Sequence, residues 1–237
     1  PLTIELARAQ VEVTLEEKVP LMVSALGTPR WLVDECHAVG TKVMSMVGAV
    51  RHAPRLEQMG VDIIVAQGME AGGHVGTVTT MVLVPSVVDA VNVPVLAAGG
   101  IIDGRGIAAG MMLGAQGAWI GTRFIATEEA TAPDAHKQGI LNANENGTVV
   151  SRCYTGKPSR VLKNEFTSRW HGRDNELLPM PWQRMRVEKL VAPAKSVGMP
   201  EIANFPTGQA AGAINDLPRA ADVFRQMIHE SERAMTQ

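Results

Sequence analysis

"VPVLAAGGIIDGRGIAAGMMLGAQGAWIGTRF", residues 93–124, holds two short apolar runs, 93–100 and 117–124, with a helical pattern between them that Gly114 closes. Neither run alternates with polar residues, the signature of a strand buried on both faces. Each breaks into small residues, at Gly99 and Gly100 and at Gly121 and Thr122. Strand, glycine loop, helix, strand is a parallel βα unit with a right-handed crossover.

The same unit recurs toward the amino end. "PLMVSALG" (20–27), "TKVMSMVG" (41–48) and "VDIIVAQG" (61–68) read as three further strands. Between them, Thr28 and Pro29 suit the cap and first turn of a helix carrying Leu32, Cys36 and Val39 and closed by Gly40. A second helix carries Ala53, Leu56 and Met59 and stops at Gly60, and a third is expected over about 79–91. Residues 3–19 read as an opening helix, with Thr14 and Glu17 resembling a capping box inside it. Five strands of this kind fit either a (βα)8 barrel or a doubly wound sheet, and a full barrel would lack three.

After Phe124 the texture changes. Residues 126 to about 205 lose the strand rhythm and gather charges and prolines ("TGKPSR", "LLPMPWQ"), so they read as a small helical and irregular subdomain. Residues 1–125 plus 206–237 form the βα portion. Ala220, Val223, Phe224, Met227 and Ile228 give a last helix an apolar face with which to pack back onto the sheet.

Composition bounds the function. Of 237 residues, 46% are hydrophobic and 19% charged, with a formal net charge of -2, which fits a folded globular protein and gives nucleic acid or an anionic membrane no electrostatic footing. No run approaches the roughly 18–20 apolar residues of a membrane span. Cys36 and Cys153 stand far apart at no metal-ligand spacing, so a cytoplasmic setting is expected, with neither a disulfide framework nor a metal. The first residue is Pro1, so either the start was processed or the sequence begins partway through a longer protein.

Parallel βα folds bind ligands where strands end. Three such ends are glycine-dense: 67–74, 97–106 and 119–124. Gly99, Gly100, Gly121 and Thr122 are candidate phosphate donors, since loop amides and helix starts after late barrel strands commonly hold phosphate. In "MEAGGHVGTVTT" (69–80), His74 follows Gly72 and Gly73. Its spacing allows a structural imidazole; its place at a strand end suits a base or donor near neutral pH. His37, His52, His136, His171 and His229 show no convergent partners and read as surface or packing residues. Cys153 has no nearby histidine to make it a nucleophile. Arg105 and Arg123 could steer an anion or pair with carboxylates, and Met44, Met46, Met111 and Met112 read as core filler.

"VAQGMEAGGHVG" (65–76), the 93–124 stretch and the late "GQAAG" (208–212) together resemble the nitronate monooxygenase family, once called 2-nitropropane dioxygenases. The resemblance is strong over about 18–128 and looser over 205–235. It implies an FMN-containing (βα)8 TIM barrel with a small helical domain inserted after the last strand. It further implies that Gln67 and Gly72, with Gly73 beside them, face the flavin. Gly100, together with Gly121 and Thr122, would hold its phosphate, in agreement with the loop position that also offers Gly99, and His74 would be the active-site histidine. Ser24, in the altered substrate-side segment "SALGTP" (24–29), and Gln209 are carried over as substrate-side residues.

The implied activity is oxidation of alkyl nitronates, such as propionate 3-nitronate, by molecular oxygen. Two alternatives remain open: a flavin-dependent NAD(P)H reductase of the enoyl-acyl-carrier-protein or quinone type, which shares the GGH and GTRF signatures, and a flavin-free scaffold. A homodimer is compatible with the family. Its members normally begin with three further strands that these residues do not contain, so the chain is expected to be an incomplete barrel from a truncated sequence.

Overall fold

The computed structural model describes residues 4–197 and 199–236. In chain order the first half comprises α1 (Ile4–Glu16), β1 (Leu21–Ser24), α2 (Arg30–Ala38), β2 (Lys42–Val47), α3 (Ala53–Gln58), β3 (Ile63–Gln67), β4 (Gly73–His74), α4 (Thr80–Val88), β5 (Val95–Ala98), α5 (Gly104–Met112) and β6 (Gly117–Trp119). There follow α6 (Thr122–Ile125), α7 (Asp134–Leu141), β7 (Thr148–Ser151), β8 (Ser159–Leu162), α8 (Glu165–Arg169), α9 (Trp182–Ser196) and α10 (Ala220–Met235). Residues 1–3, Gly198 and Gln237, which the expected segments include, lie outside the described residues.

All five strands expected from the apolar runs form, and they pair in parallel in the order β1-β2-β3-β5-β6. Sequential order without a reversal separates a barrel from a doubly wound sheet. Burial agrees. Val43, Val47, Ile64, Ala66, Val95 and Ala97 point to one face and pack with residues of α2, α3 and α4. The alternate residues Met44, Val65 and Ala98 form a separate small cluster on the other face. Helices on one side only, with apolar side chains on the other, give the curvature of a TIM-type wall. Five strands leave it incomplete, with β1 and β6 at its edges.

The segment 126–205 departs from the helical and irregular expectation. It carries β7 and β8, which pair antiparallel, and β8 also pairs with β4, Gly73 against Arg160 and His74 against Ser159. Three smaller differences have local causes. Pro29 stands at the N-cap of α2 without a side-chain bond, while the Thr28 hydroxyl is buried 2.7 Å from that of Ser45. Thr14 donates back to the carbonyl of Gln10 inside α1 instead of capping. Met112 is 82% exposed on α5, so it fills no core.

The last helix packs on α5 through a narrow stripe. Val223, Met227 and Ser231 are buried, but Phe224 and Ile228 are 59% and 41% exposed, contrary to the expected broad apolar face. A Cβ on Gly104 would lie 2.3 Å from the backbone nitrogen of Ser231, so glycine sets this close approach. The Gly104 N–H donates to the Glu230 carboxylate at 3.0 Å across the same contact.

Candidate functional site

The strand ends converge on two adjoining cavities. A smaller one, about 320 Å³, is lined by Gln67 and Gly72, by Gly99 and Gly100, and by Gly121 and Thr122. A larger one, about 1020 Å³, holds His74. Gly121, Ile125 and Pro206 line both. Six of the eight residues singled out for a flavin and its histidine thus share one cavity, and His74 faces the next. Gly73, Ser24 and Gln209 are not among the residues lining either. Ser24 bonds to the carbonyl of Gly27, and the Gln209 N–H to that of Glu70.

Packing explains part of the glycine density. A Cβ on Gly72 would stand 2.8 Å from the backbone nitrogen of Gly208, so the 69–74 loop and the 206–209 loop touch main chain to main chain. Gly73, Gly99 and Gly100 adopt φ of +79°, +102° and +74°, a region that side chains disfavour. Gly121 differs: its φ is −111°, and nothing lies within 4 Å of a Cβ there. Its missing side chain leaves open space in the cavity wall.

Hydrogen bonds tie these loops together. The Gly208 N–H donates to the Thr122 hydroxyl at 2.8 Å, leaving the hydroxyl proton available to a ligand. Glu70 accepts from the Thr80 N–H and hydroxyl at 2.9 and 2.8 Å, serving the first turn of α4 from outside the helix. Arg160 of β8 is buried and donates to the Met69 carbonyl at 3.0 Å and the Thr148 hydroxyl at 3.1 Å. Burial lowers its proton affinity, against the pull of Glu70.

Both open arginines prove to pair with carboxylates. Arg105 bonds to Asp103, and Arg123 donates to Asp216 and to the Ala126 carbonyl, each at 2.6 Å. Among the described residues no lysine or arginine lines the smaller cavity. An anion there would be held by backbone N–H groups and the Thr122 hydroxyl. Met46, Ile102 and Trp119 supply apolar surface beside them. Backbone amides at positive-φ glycines, a donor hydroxyl and an apolar flank suit a flat ring system bearing a phosphate. The donor set therefore fits a flavin that carries a phosphate.

His74 sits on β4, held by strand pairing with β8 instead of on a free loop. Its Nε2 is 3.0 Å from the Thr155 hydroxyl, and its backbone carbonyl accepts from Gln67 Nε2 at 2.7 Å. Burial pushes its pKa below the usual 6.5, and the cations Lys157 and Arg184 push the same way. The imidazole is neutral at neutral pH, as a proton acceptor must be.

The larger cavity also holds a histidine that the sequence reading assigned to packing. His136 is buried, stacks on Phe205 at 4.7 Å and lies 2.9 Å from the Thr207 hydroxyl. It lines the cavity with His74 although 62 positions separate them (136 − 74). No local pattern signals that meeting. The Oδ1 of Asn204, a further lining residue, is buried without a donor from the protein. Cys36 and Cys153 are buried, with thiols raised by desolvation, so neither is a nucleophile.

A singly wound TIM-type wall whose strand ends form a glycine cradle beside a neutral histidine defines a ligand-binding βα-barrel protein. The chain belongs to the nitronate monooxygenase family, whose profile matches residues 2–230. It is 42% identical over 229 residues to a protein of Mycobacterium tuberculosis named as a monooxygenase, covering 93% of this chain and 61% of the relative. An octahydro-indene-carboxyl-CoA dehydrogenase of Rhodococcus jostii is 41% identical over 159 residues, 67% of this chain and 45% of the relative. The chain thus spans about half to three fifths of the length of these relatives.

Among solved structures, FabK from Thermotoga maritima superposes with a TM-score of 0.89 at 36% identity, over 100% of this chain and 74% of that one. A nitroalkane oxidase from Streptomyces ansochromogenes gives 0.89 at 31%, over 98% and 70%. Among the described residues no helix is long and apolar enough to cross a membrane, and no cluster could hold a metal ion.

Proposed function

We propose that this chain carries the active site of an FMN-dependent oxidoreductase that oxidises alkyl nitronates, such as propionate 3-nitronate, with molecular oxygen. The observation that carries the reading is the neutral, half-buried His74 among the charges of Lys157 and Arg184, in a cavity that adjoins the glycine cradle. A neutral imidazole can take the α-proton of a nitroalkane, and the two cations favour the anion that remains. Gln67 and the β4–β8 pairing fix where the imidazole stands. Gly99, Gly100, Gly121 and Thr122 would hold the FMN phosphate, with Gln67, Gly72 and Gly73 beside the ring. The flavin, when bound, supplies the electron transfer.

His74→Asn should retain flavin and nitronate oxidation yet lose turnover of the neutral nitroalkane. Anaerobic bleaching of the flavin by a nitronate alone supports the reading. Bleaching by NADH or NADPH, with none by nitronate, would replace it with a second one, an NAD(P)H-dependent reductase. The size of the larger cavity favours that second reading, since a small nitronate fills little of about 1020 Å³.

A further inference from the structure

Helix α9 runs along the larger cavity for about three turns. Arg184, Val187, Glu188, Val191, Ala192 and Ser196 all line it, the set that one face of a helix presents. At 1.5 Å per residue, the span from Arg184 to Ser196 is about 18 Å. The charge of Arg184 acts on His74, so the Arg184 end of α9 is the reacting end. Phe124, Ile125, Pro133 and Pro206 form apolar wall elsewhere in the cavity. Sites that bury drug-sized molecules measure about 300–1,000 Å³, and this cavity reaches the top of that range at about 1020 Å³.

A compact nitronate would touch only the His74 end and leave the apolar length of α9 unused. We propose that the physiological substrate is elongated and mainly apolar, with its reacting anionic head at His74 and Arg184 and its tail along Val187, Val191 and Ala192 toward Ser196. The head group rests on the nitronate reading; the tail does not. Arg184 bonds to Glu188 at 3.2 Å one turn along the same face, so an arriving anion competes with that carboxylate for the guanidinium. Apolar contact must then supply much of the affinity.

The test uses the flavin-loaded protein. Across primary nitronates from ethyl to decyl, kcat/KM should rise about fourfold per buried methylene, carried by KM. By calorimetry, decanoate should bind at least tenfold tighter than propionate, whether or not any nitronate is turned over. Ala192→Trp, at an exposed helix position, should flatten both dependences and raise KM for the decyl substrate at least tenfold. A flat series with equal carboxylate affinities overturns the proposal, as does a chain-length dependence that survives intact in Ala192→Trp. Tighter decanoate binding with no flavin bleaching by any nitronate keeps the groove and discards the nitronate head. Nitronate turnover indifferent to length does the reverse.

Discussion

The side-chain amide of Gln67 donates to the backbone carbonyl of His74 at 2.7 Å, joining the end of β3 to β4. One hydrogen bond thereby ties the parallel wall to the imidazole beside the glycine cradle. Gln67→Met keeps the length of the side chain and removes the donor. The expected cost is about 1–3 kcal/mol, because a partly buried carbonyl loses its partner. Urea unfolding measures it, and a loss below about 0.5 kcal/mol would show that solvent replaces the amide.

The pH response of His74 follows from its surroundings. Burial, then Lys157 and Arg184, lower its pKa below 6.5. Turnover of neutral nitroalkanes should rise with pH through that lowered value, so that the inflection of the profile falls below 6.5. The same shift makes the unfolded chain bind the proton more readily than the folded one. Its contribution to stability is therefore complete above 6.5 and is lost as pH falls toward the folded value. Arg184→Met removes one cation and should move the titration of the His74 ring, followed by NMR, to higher pH. A move to lower pH would contradict the assignment.

The five wall strands were legible because each is an unbroken apolar run, and the three central ones, β2, β3 and β5, are buried on both faces. The second sheet was hidden for a physical reason. β8 reads "SRVL", and all four residues are buried, Arg160 among them. A buried arginine with backbone and hydroxyl acceptors cannot be told from a solvated one by composition. β4 has only two residues, and its His74 pairs with Ser159, 85 positions away (159 − 74), too short and too distant for any periodicity. The meeting of His136 with His74 in one cavity was hidden for the same reason, while the glycines of the cradle were visible one by one. What the sequence could not separate was glycines spaced for a ligand from those spaced for a neighbouring loop, and the difference lies in where a Cβ would fall.

Arg160 should prove to be a joint between the two sheets. It donates to the Met69 carbonyl before the Gly-Gly-His turn and to Thr148 on β7, both from a buried position. Arg160→Met keeps the apolar stem and leaves two acceptors without a charged donor. A loss of about 2–3 kcal/mol in chemical unfolding is expected. His74 amide exchange should accelerate with it, since β8 is the strand that pairs with β4. Unchanged exchange would mean that the turn is held without the arginine.

Gly72 and Gly121 offer a matched pair that separates folding from cofactor binding. At Gly72 a methyl group would press on the backbone of Thr207 and Gly208 at 2.8 Å, and neither main-chain atom can swing aside. Gly72→Ala should therefore cost about 1–3 kcal/mol in the flavin-free protein, the usual range for overpacking. At Gly121 the methyl group meets nothing within 4 Å, and φ is −111°, which alanine adopts without strain. Gly121→Ala should leave the Tm of the flavin-free protein within about one degree of the parent. Its effect should fall on the ligand, because the added carbon enters the space where the two cavities meet. FMN titrated by fluorescence quenching should bind at least tenfold more weakly. If Gly121→Ala binds FMN as the parent does, the phosphate is held elsewhere along the strand ends, and Gly99 and Gly100 become the residues to vary.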